Sequence, residues 1–478
     1  MLTYTNAGLV ISPYDKGDCS ALEKMTSIYD KVYHTYRETT GFYDENNDSF
    51  CTHWFDPKFV QKLLPNELIV HQGSPVGYPI ENFSLIDSIT LTDTQLNTVN
   101  KVLNSRKDRV FINLPTGEGK TLLSVYYIIS CISRNALILC FSTKVLSQWY
   151  ETFREKTTID INKVVIIDSS KKILKILENN GSDHHIYLCT PLLLVKFAYK
   201  YGWHRLQKFI ECIGIGVQIF DEAHRNIGAL VKLDSHLPIR KRIYLSADLN
   251  ATREKRDLFF RIFKNCTIVT LSKEELENTK FINCVIVEFE STPDMLDTLN
   301  IYSRYGFSND KYMQYEFEKP NLFNAMDSVL NNILKKNDKD HSILILMNMI
   351  EHVDTVKDHL NELFPDVITG RYHSKMSKEE KQETLNTADI IVSTHKSLGT
   401  GFDTGNIRKI RYILCLDVVN EIEDDQSAGR MRRDGKLEAF YFIFSDSAFE
   451  YSRRKVNTKL KYLSAMKFKK VYKIKLKT

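Results

Sequence analysis

The stretch Leu114-Pro115-Thr116-Gly117-Glu118-Gly119-Lys120-Thr121 constrains this chain more than any other. It follows the apolar run 110–112 and precedes the run 122–131, so it reads as the turn between a buried strand and a helix. That is the setting a bound polyphosphate needs. Glycines at 117 and 119 let backbone amides turn inward around an anion, and the helix that follows points its positive end at the same place. In this reading Thr116, Gly117, Glu118 and Gly119 line the turn, Lys120 reaches the outer phosphates and Thr121 holds a magnesium ion. Leu114 stands where the strictest form of the motif has glycine, so the match is to the looser TGxGKT form. For the stretch alone, the alternative is a tight turn with a solvated lysine.

A second stretch fits the first. Val217-Gln218-Ile219-Phe220 is an apolar strand that ends in Asp221-Glu222-Ala223-His224, about a hundred residues beyond Lys120. Two adjacent acids at a strand end suit a nucleoside triphosphatase: Asp221 holds magnesium through its water shell, and Glu222 orients and deprotonates the attacking water. His224 is placed to relay the nucleotide state. Upstream, Thr92-Asp93-Thr94-Gln95 opens a helix, and Gln95 either caps it from the third position or reads an adenine edge.

Between and beyond these stretches the pattern alternates strand and helix from about residue 91, which is the signature of a parallel sheet covered on both faces. Strands are expected at 136–141, 164–167, 186–189 and 243–245. Several end in polar residues, among them Ser142-Thr143-Lys144, Thr190 and Ser246-Ala247-Asp248, where open α/β sheets bind ligands. The period weakens over 273–325, although 281–289 still reads as a strand. A second α/β unit follows, with a helix over 321–336 and strands at 343–347, 390–393 and 412–416; a capping box at Ser377 and Glu380 opens a further helix. Its glycine-rich turn is Gly399-Thr400-Gly401-Phe402-Asp403. In Gln426-Ser427-Ala428-Gly429-Arg430-Met431-Arg432-Arg433, Arg430 and Arg433 are three apart, so on a helix they share a face and can converge on one anion. A surface salt-bridge helix is the alternative.

Length and charge set the outer limits. At 478 residues the chain is too long for one core, since domains run to about 150 residues. The order of elements divides it into a small N-terminal domain (1–88), a first α/β domain (89–272), a connecting segment (273–325), a second α/β domain (326–450) and a basic tail (451–478). The N-terminal domain reads either as a substrate-selecting accessory or as packing support. No apolar run approaches the ~18 to 20 residues of a membrane span and no signal-peptide pattern opens the chain, which gives a cytoplasmic expectation, in a host cytoplasm if a phage encodes it. The nine cysteines include no CxxC pair, so several are expected as small buried hydrophobes rather than metal ligands. Residues 452–478 carry eleven Lys or Arg and no Asp or Glu, so of a net +5 the rest of the chain holds −6. Lysines interleaved with Tyr451, Tyr462, Phe468 and Tyr472 suit a polyanion, or else a solvated terminal strand and helix. Alternation over 471–477 sets Lys473, Lys475 and Lys477 on one face, with Tyr472, Ile474 and Leu476 expected to pack on the other.

Taken together, these stretches resemble the motifs of superfamily 2 helicases and translocases over about 91–445. TGEGKT resembles motif I, STKVLSQW motif Ia, CTP motif Ib, DEAH motif II, LSAD motif III, VSTHKSLGTGFD motifs IV to V and QSAGRMRR motif VI. The proportions look most like the phage branch-migration helicases of the UvsW type; a similar arrangement occurs in poxvirus transcript-release helicases. The resemblance implies two tandem RecA-like domains around one ATP, with ATP and Mg2+ as cofactors. It puts Gln95, Asp403 and Gln426 among the nucleotide-binding residues, and His224, Ser246 and Asp248 in coupling. Arg430 and Arg433 become arginine fingers supplied within the chain, while Ser142, Thr143, Lys144, Thr190, Thr394 and Lys396 become contacts to nucleic-acid phosphates. Asp248 replaces the family's usual threonine in motif III, and the long C-terminal domains of the DEAH RNA helicases are missing. The expected activity is ATP-dependent remodelling of branched or single-stranded DNA. The rivals are an RNA-directed or transcript-release motor, a double-strand translocase that separates no strands, and a binding module with an inactive ATPase.

Overall fold

In the computed structural model the short apolar runs become the inner strands of two parallel sheets, buried on both faces as near-continuous hydrophobic sequence requires. The structure describes all residues except 31–34, 45–47, 74, 75, 82, 116, 133, 248–258, 304, 305, 337–340, 400–408, 418–426, 432–436, 477 and 478. The chain divides into two compact units, one of Met1–Leu114 and Glu118–Leu271 and one of Pro115–Gly117 and Ser272–Thr478. No helix among the described residues is long and apolar enough to cross a membrane.

The first unit begins with a mixed five-stranded sheet: β1 (Leu2–Tyr4), β2 (Gly8–Ile11), β3 (Gly41–Asp44), β4 (Ser49–His53) and β5 (Ile69–His71), in the order β3-β4-β2-β1-β5. Its seven-stranded parallel sheet comprises β6 (Arg109–Asn113), β7 (Ala136–Leu139), β8 (Val164–Ile167), β9 (Ile186–Cys189), β10 (Val217–Phe220), β11 (Lys241–Ser246) and β12 (Thr267–Thr270). They run β8-β9-β7-β10-β11-β6-β12. One face packs against Val99, Ile128, Trp149 and Phe153, and the other against Leu194, Phe209, Leu230 and Phe263.

The second unit carries β13 (Ile282–Phe289), β14 (His341–Met347), β15 (Thr369–Tyr372), β16 (Ile390–Thr394), β17 (Lys409–Cys415), β18 (Ala439–Asp446) and β19 (Phe468–Lys475). Their order is β15-β16-β14-β17-β18-β13-β19. Numbered along the chain within each sheet, both seven-stranded sheets read 3-4-2-5-6-1-7. The expected tandem RecA-like architecture is present, and the two domains repeat one topology down to an added parallel edge strand.

Two segments lie deeper in that repeat than the sequence suggests. β13, from the connecting segment, is the first strand of the second sheet; the helices Asn309–Glu318 and Pro320–Leu334 separate it from β14 and mask the period. The basic tail supplies β19, which pairs with β13. Tyr472 and Ile474 do not pack beneath it as expected: they are 43% and 37% exposed, because an edge strand has cover on neither face here. Of the three residues expected to pack, only Leu476 reaches the core, and its amide donates to Glu288 O at 2.8 Å. Lys473 pairs with Glu288 at 2.5 Å.

The N-terminal sheet is seated on the helix Ile227–His236, which follows the Asp221-Glu222 turn. Thr5 Oγ1 donates to Asp234 O at 2.5 Å, Asn6 Nδ2 donates to Arg240 O at 2.8 Å, and Trp203 Nε1 donates to Asp44 Oδ2 at 2.9 Å. Beneath this seam the Asp234 carboxylate meets Arg242 at 3.1 Å, Arg109 at 3.8 Å and the Tyr244 hydroxyl at 2.6 Å, all buried. Gly8 is glycine because a Cβ there would lie 2.6 Å from Ser235 Cα. Gly8→Ala therefore forces the sheet off the helix, at about 1–3 kcal/mol by the usual cost of overpacking. The check is a lowered thermal midpoint in the alanine variant; an unchanged midpoint would mean that the seam is soft.

Candidate active site

In the first unit, the C-terminal ends of β6, β7, β9, β10 and β11 bring their following residues to one edge, the binding edge of an open parallel sheet. The phosphate-loop candidate leaves β6 there. Leu114 N donates to Ser246 O at 3.2 Å, which ties the loop to the end of β11. Gly117 and Gly119 have φ of 90° and 74°, a left-handed backbone that glycine adopts without cost. Gly119 is the N-cap of α2 (Lys120–Tyr126) and no side chain caps that helix, whose positive end therefore meets the loop without a capping group. The helix expected over 122–131 continues from α2 as a π-helical segment, Tyr127–Ile132. Lys120 Nζ donates to Leu114 O at 3.1 Å, folding its charge over the loop.

Gln95 performs the structural half of its two readings. It sits in α1 (Asp93–Leu103), where its Oε1 accepts from Thr92 N at 3.0 Å and Thr92 Oγ1 accepts from Gln95 N at 3.3 Å, a complete capping box. Its Nε2 also donates to Glu118 O at 3.1 Å, so the first helix is clipped to the phosphate loop.

The acidic pair closes the other side of the site. Asp221 leaves β10 with its amide bonded to Leu139 O at 2.9 Å, and its Oδ2 accepts from Trp149 Nε1 at 2.8 Å. Burial and the neighbouring Glu222 push the Asp221 carboxyl up to about 6, while the Trp149 donor and Lys120 pull the other way. Glu222 has φ of 51°, a conformation costly for a side chain with a Cβ. That twist turns its carboxylate to within 3.3 Å of His224 Nδ1, which in turn lies 2.9 Å from Ser246 Oγ. Glu222, His224 and Ser246 thus form a chain from motif II to motif III.

The other expected residues fall as follows. Ser142 and Thr190 are N-caps of α3 (Thr143–Lys156) and α4 (Pro191–Tyr201), accepting from Val145 N and Leu193 N, each at 3.4 Å. Their acceptor role does not use the hydroxyl proton. Thr143 and Lys144 lie on the first turn of α3, both exposed. In the second unit Thr394 ends β16 and accepts from Ser397 N at 3.2 Å, while Lys396 is exposed. Arg430 lies beside Tyr372, whose hydroxyl burial pushes up and the guanidinium draws down. Thr116, Asp248, Asp403, Gln426, Arg433 and Lys477 lie outside the described residues.

Two contacts went unread in the sequence. One is the Trp149–Asp221 bond, for which the only signal was an indole on the motif Ia helix. The other is His395, buried with Nδ1 3.1 Å from Ser427 Oγ and Nε2 3.6 Å from Cys415 Sγ, which joins the end of β16 to motif VI. Cys51, Cys189, Cys284 and Cys415 are buried in strands as free thiols. Among the described residues no cluster of three or more His, Cys, Asp or Glu is arranged to hold a metal.

The donor set fits a nucleotide with magnesium: positive-φ glycines, an uncapped helix start and Lys120 for phosphates, Thr121 and Asp221 as hard oxygens for the ion. Comparison with known proteins agrees with that chemistry. Residues 88–251 match the family described as "Type III restriction enzyme, res subunit", and residues 324–435 match "Helicase conserved C-terminal domain". A curated relative, the general transcription and DNA repair factor IIH helicase/translocase subunit XPB of Enterocytozoon bieneusi (strain H348), is 34% identical over 134 residues, 27% of this chain. The chain spans only 21% of that relative's length. Among solved structures, S. cerevisiae Dbp5 bound to RNA and ADP BeF3 aligns at TM-score 0.51 and 14% identity, covering 80% of this chain and 90% of the other. The Pyrococcus furiosus Hef helicase domain aligns at TM-score 0.53 and 13% identity, covering 78% and 99%. These two likenesses are of fold.

Proposed function

We propose, starting from a chain that carries the two helicase-type domains of superfamily 2, that this protein is an ATP-dependent DNA helicase or translocase acting on branched DNA. The observation that carries the reading is the Asp221-Glu222 turn. A glutamate held at positive φ beside a second carboxylate, across from Lys120 and an uncapped helix start, has the layout of nucleotide hydrolysis. Lys120 and the loop amides hold the outer phosphates, Thr121 and Asp221 hold the magnesium ion, and Glu222 orients a water and takes its proton. Bound MgATP supplies the phosphoanhydride and the divalent charge. Arg430 and Arg433 of the second unit stabilise charge on the transferred phosphoryl group. Ser142, Thr143, Lys144, Thr190, Thr394 and Lys396 contact strand phosphates and so position nucleic acid without reading its sequence.

DNA is favoured over RNA by the local match to a DNA repair helicase/translocase subunit. An ATPase assay with a four-way junction, a fork, single-stranded DNA and RNA tests this: the branched DNAs should stimulate most, and stimulation by RNA alone would move the assignment to a transcript-directed motor.

The basic tail adds to strand binding through its edge strand. Lys469, Lys470 and Lys475 are exposed there, whereas Lys473 is engaged with Glu288. Lys→Gln changes at 469, 470 and 475 should lower the salt slope of DNA binding by about 0.7 to 0.9 for each phosphate no longer neutralised, with Lys473→Gln changing it least. An unchanged slope in a folded triple variant would make β19 structural only.

A further inference from the structure

We infer that Trp149 is a positioning residue for the magnesium-binding carboxylate, fixing the rotation of Asp221 from the motif Ia helix; this rests on the ATPase reading of the site. Trp149 is 1% exposed within α3, its ring 6.4 Å from that of Phe153, so the indole has one packed orientation. Its single N–H donates to Asp221 Oδ2 at 2.8 Å. A buried indole needs an acceptor, and a buried carboxylate needs donors, so each fixes the other.

The Asp221 backbone is already held by the bond from its amide to Leu139 O at 2.9 Å. The Glu222 backbone amide also serves the carboxylate, and the packed indole is the side-chain donor that sets its torsion. With Oδ2 committed to Trp149, Oδ1 is the oxygen presented to the water shell of the ion. Partners that orient a metal-binding group in this way typically contribute about 10–100-fold in metal affinity. The contact also joins two functions: α3 starts beside the Ser142, Thr143 and Lys144 cluster and carries Trp149 on its second turn.

The experiment measures half-saturating Mg2+ for ATP hydrolysis in wild type and Trp149→Phe, which keeps an aromatic ring but has no N–H. Half-saturating Mg2+ should rise roughly 10–100-fold, with kcat at saturating Mg2+ changed little. Mg2+-dependent binding of a fluorescent ATP analogue is then compared in Asp221→Ala and in Asp221→Ala with Trp149→Phe. The second change should have no further effect, because alanine leaves the indole no acceptor through which to act. Equal half-saturating Mg2+ in wild type and Trp149→Phe, or an equal loss in both backgrounds, would overturn the assignment. If the phenylalanine variant does not fold, protein labelled with 15N-tryptophan decides. Asp221→Asn should move one of the three indole N–H signals, and three unmoved signals would refute the contact. A wild type with no Mg2+-dependent hydrolysis counts instead against the ATPase reading, which the indole signals do not depend on.

Discussion

Glu222→Gln is expected to bind MgATP as the wild type does and to hydrolyse it about 10² to 10⁴ times more slowly, the usual cost of losing a general base. The amide fills the same space but cannot take the proton of the attacking water. Lys120, Asp221 and the loop glycines, which are proposed to hold nucleotide, are untouched. The left-handed backbone at φ 51° is no more costly for glutamine than for glutamate, so the fold should survive. Nucleotide affinity from a fluorescent analogue and kcat from phosphate release separate the two properties. Wild-type turnover would remove Glu222 from catalysis and leave its unusual conformation without a purpose.

The second large effect is expected at Arg430. Removing an arginine finger costs roughly 10³ to 10⁵ in kcat, because the guanidinium acts on charge that appears in the transition state. Arg430→Ala should therefore lose turnover while ATP affinity changes little. Arg430→Lys should recover only part of the loss, since an ammonium keeps the charge but not the forked donor geometry. The side chain is partly buried beside Tyr372, so a structural contribution is separated by the thermal midpoint of both variants. Normal kcat in Arg430→Ala would assign the motif VI arginines to packing and not to phosphoryl transfer.

What could be read in advance follows from how local each signal is. Strands such as Ala136–Leu139 and Ile186–Cys189 were legible because inner strands of a parallel sheet are continuously apolar. The capping boxes at Thr92 and Ser377 were legible because they are spelled within four residues. The strand order shared by the two sheets was not, since pairing partners leave no mark on a single strand. The seam between Gly8 and Ser235 was equally hidden: its glycine is demanded by a residue over two hundred positions away. Alternation in the tail pointed to a strand, but not to an uncovered edge where Tyr472 and Ile474 stay exposed. Lys120, Asp221 and Glu222 could be picked out one by one. The bond from Trp149 to Asp221, and the chain from Glu222 through His224 to Ser246, needed the sheet to bring β7, β10 and β11 side by side.

Hydrolysis of ATP by the full chain, measured with and without Mg2+ and across single-stranded DNA, a fork, a four-way junction and RNA, tests the central claim most directly. The account predicts hydrolysis that requires Mg2+, rises on adding nucleic acid and rises most with branched DNA, with Glu222→Gln inactive under every condition. ATP bound without turnover, or turnover that no nucleic acid alters, would contradict it.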